Sequence, residues 1–196
     1  MGALTDDAEL WSAALEGSGS AFTGLFVQHR DRVFRHAARL VDSAADADDV
    51  AAAAFFELWR RRGSVTVVQG SPLPWLLVTT TNLARNVRRG TARYRAVLER
   101  LPRSEELTDP AEHALNRVAR DRGEGGVRIA MRQLSAVDLN LLVLTTLEGL
   151  SVQEASAAVG LKEGTGRSRL SRARARLRTA LTDDEQTSLA LMTKER

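Results

Sequence analysis

Six arginines fall within one short stretch: Arg167, Arg169, Arg172, Arg174, Arg176 and Arg178. From Lys162 to Leu181 the chain carries seven positive charges against one negative. Charge of this density neutralises phosphates, and the rigid arginine fork matches the paired acceptors on base edges. The chemistry on offer is binding to a nucleic acid.

A second cationic stretch lies at PWLLVTTTNLARNVRRGTARYR. Trp75 opens it, three threonines and Asn82 follow, and then come Arg85, Asn86, Arg88, Arg89, Arg93 and Arg95. An aromatic ring beside amide and hydroxyl groups suits unpaired bases, while the arginines hold phosphates. Trp75 alone reads better as a core residue, because lone tryptophans are mostly buried.

Other reactive groups lead nowhere catalytic. Asp46, Asp48 and Asp49 cluster near a helix start, where the helix dipole favours negative charge without any chemistry. His29 and His36 share a helix face but have no third ligand, so no metal site is expected, and His113 falls in a solvated linker. With no cysteine, thiol catalysis, disulfides and zinc–thiolate sites are excluded, which fits a reducing cytoplasm. There is neither a glycine-rich phosphate loop after a strand nor a nucleophile–histidine pair. The expectation is a binding protein with no enzymatic activity, no cofactor and no small-molecule substrate.

Charge along the chain is uneven although its net value is only +3. Residues 1–60 hold five basic and ten acidic groups, 61–100 eight and one, 101–126 four and six, and 127–196 eleven and eight. Two basic blocks around an acidic spacer predict two contacts with a polyanion, and the acidic first block predicts a different partner. The N-terminus MGALTDDAEL lacks a secretion signal and no run of about 18 apolar residues occurs, so a cytoplasmic chain without a membrane span is expected.

The elements that must carry these groups are helices. Thr5 with Asp6, Asp7 and Glu9 starts the first, and GSGS (17–20) breaks it. A second runs over about 21–41, with Phe22, Leu25, Phe26, Val33 and Leu40 near one face. Asp42 and Ser43 offer a break and a cap before a third, over 45–61. Residues 61–74 read as a loop, with Val65 to Val68 briefly extended, and Ser71–Pro72 starts a fourth helix running to about Arg93. Leu101 to Gly126 is a linker in which 111–120 has helical character. Beyond it come 127–134, a helix capped by Ser135 and ended by Gly149, and the pair around Gly160. There Ser151 and Glu154 make a capping box, Gly160 ends the short helix, and Leu161 packs under the turn. The helix over 165–181 sets Leu170, Ala173 and Leu177 inward and the arginines outward. Residues 183–196 form a tail. A short capped helix, a glycine turn and an arginine-rich second helix are the layout of a helix-turn-helix.

The order FFELWRR, a glycine–proline loop, WLLVTTTNLARN, a linker, then EGLSVQEASAAVGLKEGTGRSRLSRARARLR resembles the extracytoplasmic-function (ECF) group of bacterial RNA polymerase sigma factors, over about residues 22–181. The resemblance implies an all-α chain of two small helical domains. A region 2-like domain at 1–98 would be followed by a linker at 99–124. A region 4-like helix-turn-helix of the winged-helix-like type would occupy 125–182, with the tail at 183–196. It implies that Asp46, Asp48, Asp49 and Leu58 meet the polymerase. Trp75, Asn82, Arg85, Asn86, Arg88 and Arg89 would serve the minus-ten element, Asn82 helping to hold a flipped base beside the loop from Arg62 to Leu73. Arg167, Ser168, Ser171 and Arg172 would read the minus-thirty-five element, with Arg169 and Arg174 on the backbone. The implied partners are core RNA polymerase, promoter DNA and an anti-sigma protein. Two departures stand out. Alanines fill 51–54, which predicts fewer polar docking contacts, and Gly166 replaces the usual apolar residue, which predicts a first turn that orders only on DNA. A helix-turn-helix regulator that binds only duplex DNA, or a helical interaction protein, would leave one or both arginine blocks unexplained.

Overall fold

A computed structural model describes residues 6–98 and 125–194. The expected linker, its helical stretch at 111–120, His113 and the Thr5 start signal lie outside the described residues.

The first half is built by local capping and by apolar faces that close on one another. Asp6 caps α1 (Asp7–Leu15), which turns Trp11 and Ala14 inward. Ser18 caps α2 (Gly19–Ala38), its Oγ accepting from the Ala21 N–H at 3.2 Å. Ser43 caps α3 (Ala44–Arg61) in the same way through Asp46. These side chains satisfy amides that the helix itself leaves without partners. Helices α2, α3 and α4 (Leu73–Leu98) then pack together, with α1 laid along α2. Phe26 meets Phe55 edge-on at 4.9 Å, and Phe22 meets Trp59 at 5.0 Å.

Between α3 and α4 the chain makes a single 3-10 turn (Arg62–Ser64) and an extended run. Val68 and Ser71 exchange N–H···O bonds of 3.1 and 3.0 Å across Gln69 and Gly70. Both central residues have positive φ, +52° and +76°, which makes a type I′ turn. Glycine is needed at the second position on two counts: its φ, and a Cβ that would fall 2.8 Å from the Cβ of Ala8.

The second half comprises α5 (Gly125–Gln133), α6 (Ala136–Thr146), α7 (Val152–Ala158) and α8 (Glu163–Lys194). Ser135 and Ser151 cap α6 and α7. Helix α8 runs unbroken through the segment read from sequence as a tail. Helix α6 is apolar nearly all round, burying Leu139, Leu141, Leu142, Val143 and Leu144. A helix of that kind needs cover on every side. Helices α5, α7 and α8 do not supply all of it: α6 also packs against α4, and α7 touches α4 as well. The two halves therefore lie against each other and share one continuous apolar cluster.

Candidate nucleic-acid interface

The arginine-rich helix is held by its neighbours rather than by its own propensity. Ser151 Oγ accepts from the Glu154 N–H at 3.2 Å, and Glu154 Oε2 accepts from the Ser151 N–H at 2.9 Å, closing the capping box. Hydrogen bonds from the Ser151 hydroxyl, then its backbone N–H, then Gln69 hold the Glu154 carboxyl below its usual range. Gly160 turns the chain at φ +73°, and the Leu161 N–H donates to Ser156 O at 2.8 Å. Leu161 is half-buried against the core.

Helix α8 then presents two unlike faces. Leu170 and Ala173 are buried against the rest of the second half. Arg167, Ser168, Ser171, Arg172, Arg174, Arg176 and Arg178 are exposed. Arg167 is drawn back onto Glu163 at 2.5 Å, one turn away, and Arg172 Nε donates to Ser168 O at 3.3 Å. Pairs of this kind on a solvated face are weak and leave the guanidinium groups available to an anion. Arg169 differs from its neighbours. It is half-buried, and its Nη1 donates to Asp138 Oδ1 on α6 at 3.0 Å, so it braces α8 against the helix beneath.

Gly166 lies in the helical first turn of α8 and is buried there. Its place is set by lack of room, since it faces the side chain of Ser156.

Helix α4 carries the second set. Asn82, Asn86, Arg89 and Arg93 are exposed at spacings of four, three and four residues, which lines them along one face. The threonines do not join them. Thr80 and Thr81 are fully buried, their hydroxyls donating to Leu76 O and Leu77 O at 2.7 and 3.1 Å. Thr81 Oγ1 also takes a bond of 2.8 Å from His36 Nε2. Trp75 is half-buried against the core, as expected for a lone tryptophan. Arg85 is half-buried and donates from Nη1 to Leu134 O at 2.8 Å, across to the second half. Arg88 is half-buried too, and burial, followed by the nearby Arg132 charge, lowers its pKa.

The acidic helix needs a correction as well. Asp48 and Asp49 are exposed and Asp46 is half-buried, so the carboxylates do form a surface. Leu58 is 0% exposed and belongs to the core, so it meets no partner. The apolar group on the acidic face is Phe56, 64% exposed, seven residues beyond Asp49 and therefore on the same side of α3. Alanines 51 and 54 are buried where α3 packs, which gives two of the four a packing role.

His29 and His36 go to different places. His29 Nε2 lies 2.8 and 2.9 Å from the two oxygens of Asp7, and His36 is buried against Thr81. Among the described residues no cluster of histidine and carboxylate groups could hold a metal, and no helix is long and apolar enough to cross a membrane.

Residues 25–94 match the family model Sigma-70 region 2, and residues 127–177 match Sigma-70, region 4. The ECF RNA polymerase sigma factor SigE of Mycolicibacterium smegmatis is 35% identical over 156 residues, 79% of this chain, which spans 59% of SigE. The RNA polymerase sigma factor CarQ of Myxococcus xanthus is 31% identical over 85% of this chain and 92% of its own length. The ECF RNA polymerase sigma factor SigM of Mycobacterium tuberculosis is 31% identical over 87% of this chain and 82% of its own. Among solved structures, CnrH in complex with the cytosolic domain of CnrY is 25% identical, with a TM-score of 0.60 over 91% of this chain and 98% of that one. RpoE in complex with the anti-sigma factor NepR from Bartonella quintana, at 20% identity and a TM-score of 0.53 over 82% of this chain and 96% of that one, shares the fold. Two cationic helices, an acidic face and both matched regions in order lead to one assignment: the chain belongs to the ECF group of RNA polymerase sigma factors, subunits that act by binding and direct promoter-specific transcription initiation.

Proposed function

We propose that this chain docks on core RNA polymerase through the face of α3 that carries Asp48, Asp49 and Phe56, and reads a promoter at two places. Helix α4 takes the minus-ten element. Its exposed row of Asn82, Asn86, Arg89 and Arg93 meets unpaired bases and their phosphates, with the Gln69–Gly70 turn beside it. Helix α8 takes the minus-thirty-five element in the major groove. Arg167, Ser168, Ser171 and Arg172 face base edges, and Arg174 faces the backbone. On this reading the region 2-like part occupies 1–98 and the region 4-like part 125–182, joined by the segment at 99–124, and the protein works in the cytoplasm.

The observation that carries the reading is the division of labour along α8. Its inner face is committed to packing, and a row of charged and hydroxyl groups is exposed on the outer one. An arginine helix with only a structural role would spend those guanidinium groups on carboxylates. Arg169 is bound to a carboxylate on another helix, whereas Arg172 and Arg174 remain exposed. CnrH and RpoE were solved with a CnrY domain and with the anti-sigma factor NepR, which supports an anti-sigma protein as a further partner here.

The decisive experiment is run-off transcription with purified core polymerase on a library of promoter sequences. Selective initiation supports the reading and yields the promoter at the same time. Salt-sensitive binding to duplex DNA with no initiation on any template would leave a helix-turn-helix regulator instead.

A further inference from the structure

The first sixty residues are acidic overall, yet four of their five basic groups, Arg30, Arg32, Arg35 and Arg39, fall within ten positions. Helical spacing sorts them. Arg32, Arg35, His36 and Arg39 stand at i, i+3, i+4 and i+7 on α2, so they share one face, and Arg30 lies off it. That face lines a cleft of about 140 Å³ in the seam between the two halves.

The walls of the cleft are chemically unequal. Leu77 of α4 and Val143 of α6, 2% and 1% exposed, close its back. His36 is buried in another wall and carries no charge near pH 7, since burial, and then the Arg39 charge, hold its pKa at about 4. The mouth carries three guanidinium groups and one carboxylate. Arg32 Nη1 lies 3.3 Å from Glu148 Oε2, just beyond α6. Arg35 and Arg39 are exposed, and among the described residues no carboxylate pairs with either.

Two positive charges are therefore left over beside an apolar wall. Like charges held together there repel, and the low dielectric focuses their field into the cleft. An anion in the cleft relieves that repulsion. Guanidinium forks pair with two oxygens at once, which matches a phosphoryl group better than a halide. The volume corresponds to about five water molecules at roughly 30 Å³ each, room for one or two phosphoryl groups but not for a nucleoside as well.

We propose that this cleft binds a small phosphate anion, the size of orthophosphate or pyrophosphate, held by Arg35 and Arg39 and by an Arg32 that is shared with Glu148. The site uses none of the groups assigned to promoter DNA or polymerase, so it stands or falls independently of that assignment.

Inorganic pyrophosphate is the probe, titrated by calorimetry into the full chain at fixed ionic strength. One saturable site is expected. Arg35→Gln and Arg39→Gln should each weaken it roughly tenfold, the loss of one charge-assisted pair. Glu148→Gln should tighten it by about threefold, because the substitution removes the one carboxylate and releases Arg32. Misfolding cannot produce a gain of that kind. Arg172→Gln, on the exposed face of α8, should bind pyrophosphate as the native chain does, which separates the cleft from a general attraction to arginine. A short oligo-dT strand offers the same phosphoryl chemistry from a nucleic acid, and its affinity should be unchanged by Arg35→Gln and Arg39→Gln. No saturable binding of pyrophosphate, an affinity indifferent to both α2 substitutions, or no tightening by Glu148→Gln would overturn the proposal. Loss of oligo-dT affinity in the α2 variants, with no site for pyrophosphate in the native chain, would overturn it too and give the phosphate to a DNA strand.

Discussion

A methyl group on Gly166 would lie 1.9 Å from Ser156 Oγ and 3.0 Å from Ser156 Cβ. The two residues are where α7 and α8 cross, and the missing side chain lets the helices approach. Glycine within a helix costs about 1 kcal/mol relative to alanine, yet overpacking a closed contact costs about 1–3 kcal/mol. Packing decides the sign. Gly166→Ala should therefore lower the urea midpoint by that order, and Ser156→Ala should recover most of the loss. Urea unfolding of the two single variants and the double variant checks the coupling.

Arg172→Ala should weaken binding to an upstream-element duplex by about 1–3 kcal/mol if the side chain reads a base. Arg172 is exposed, so the fold is untouched. Arg169→Ala should behave differently. Because Arg169 is bonded to Asp138, its loss should show first in thermal stability of the second half and only then in affinity. Duplex titrations alongside melting curves distinguish the two. Unchanged duplex binding by Arg172→Ala would remove it from the reading face.

On α4, Asn82→Ala should leave polymerase capture intact and reduce promoter opening, seen as loss of permanganate-reactive thymines. Thr81→Val, one residue earlier, should do the reverse. It removes the buried acceptor of His36 Nε2, costing about 1–3 kcal/mol of stability without a specific opening defect.

On α3, Asp49→Arg and Phe56→Ala should each weaken pull-down by core polymerase while the melting temperature holds, since both side chains are exposed. Leu58→Ala should lose about 2–5 kcal/mol of stability, because it opens a cavity in the core. Normal capture by both surface variants would move the docking site elsewhere.

Burial, with Arg39 nearby, lowers the pKa of His36 from 6.5 to about 4, against a small opposing backbone contribution from Leu77. The folded state therefore keeps His36 neutral where the unfolded chain takes up a proton. Its stabilising contribution is full above pH 6.5 and is lost as pH falls towards 4, on the order of 3 kcal/mol in all. Urea unfolding at pH 7, 6 and 5 should show the decline. His36→Gln should flatten that part of the curve, whatever its effect at pH 7.

What the sequence made legible was mostly local. Caps at Ser43, Ser135 and Ser151 and the turn at Gly160 depend on residues within a few positions of one another, and each is found where expected. The outward arginines of α8 follow from helical periodicity alone. The same periodicity places Leu58 inside: Val50, Ala54 and Leu58 share the inner face, and Asp49, Ala52 and Phe56 share the outer one. The hydroxyls of Thr80 and Thr81 suit bases by type, but their register on α4 points them inward. Gly166 was not decipherable in this way. Its constraint comes from Ser156, a contact that exists only once two helices have packed. The cover for α6 was equally hidden. Its apolar run is plain in the sequence, but the surface it rests on lies some sixty residues away on α4.

That run has a consequence for the molecule when it is idle. Val143 lines the seam beside Leu77, so prising the halves apart bares oily surface to water. A copy opened with nothing to receive it would tend to stick to others like itself. By folding back on its own first half, the chain keeps that surface dry.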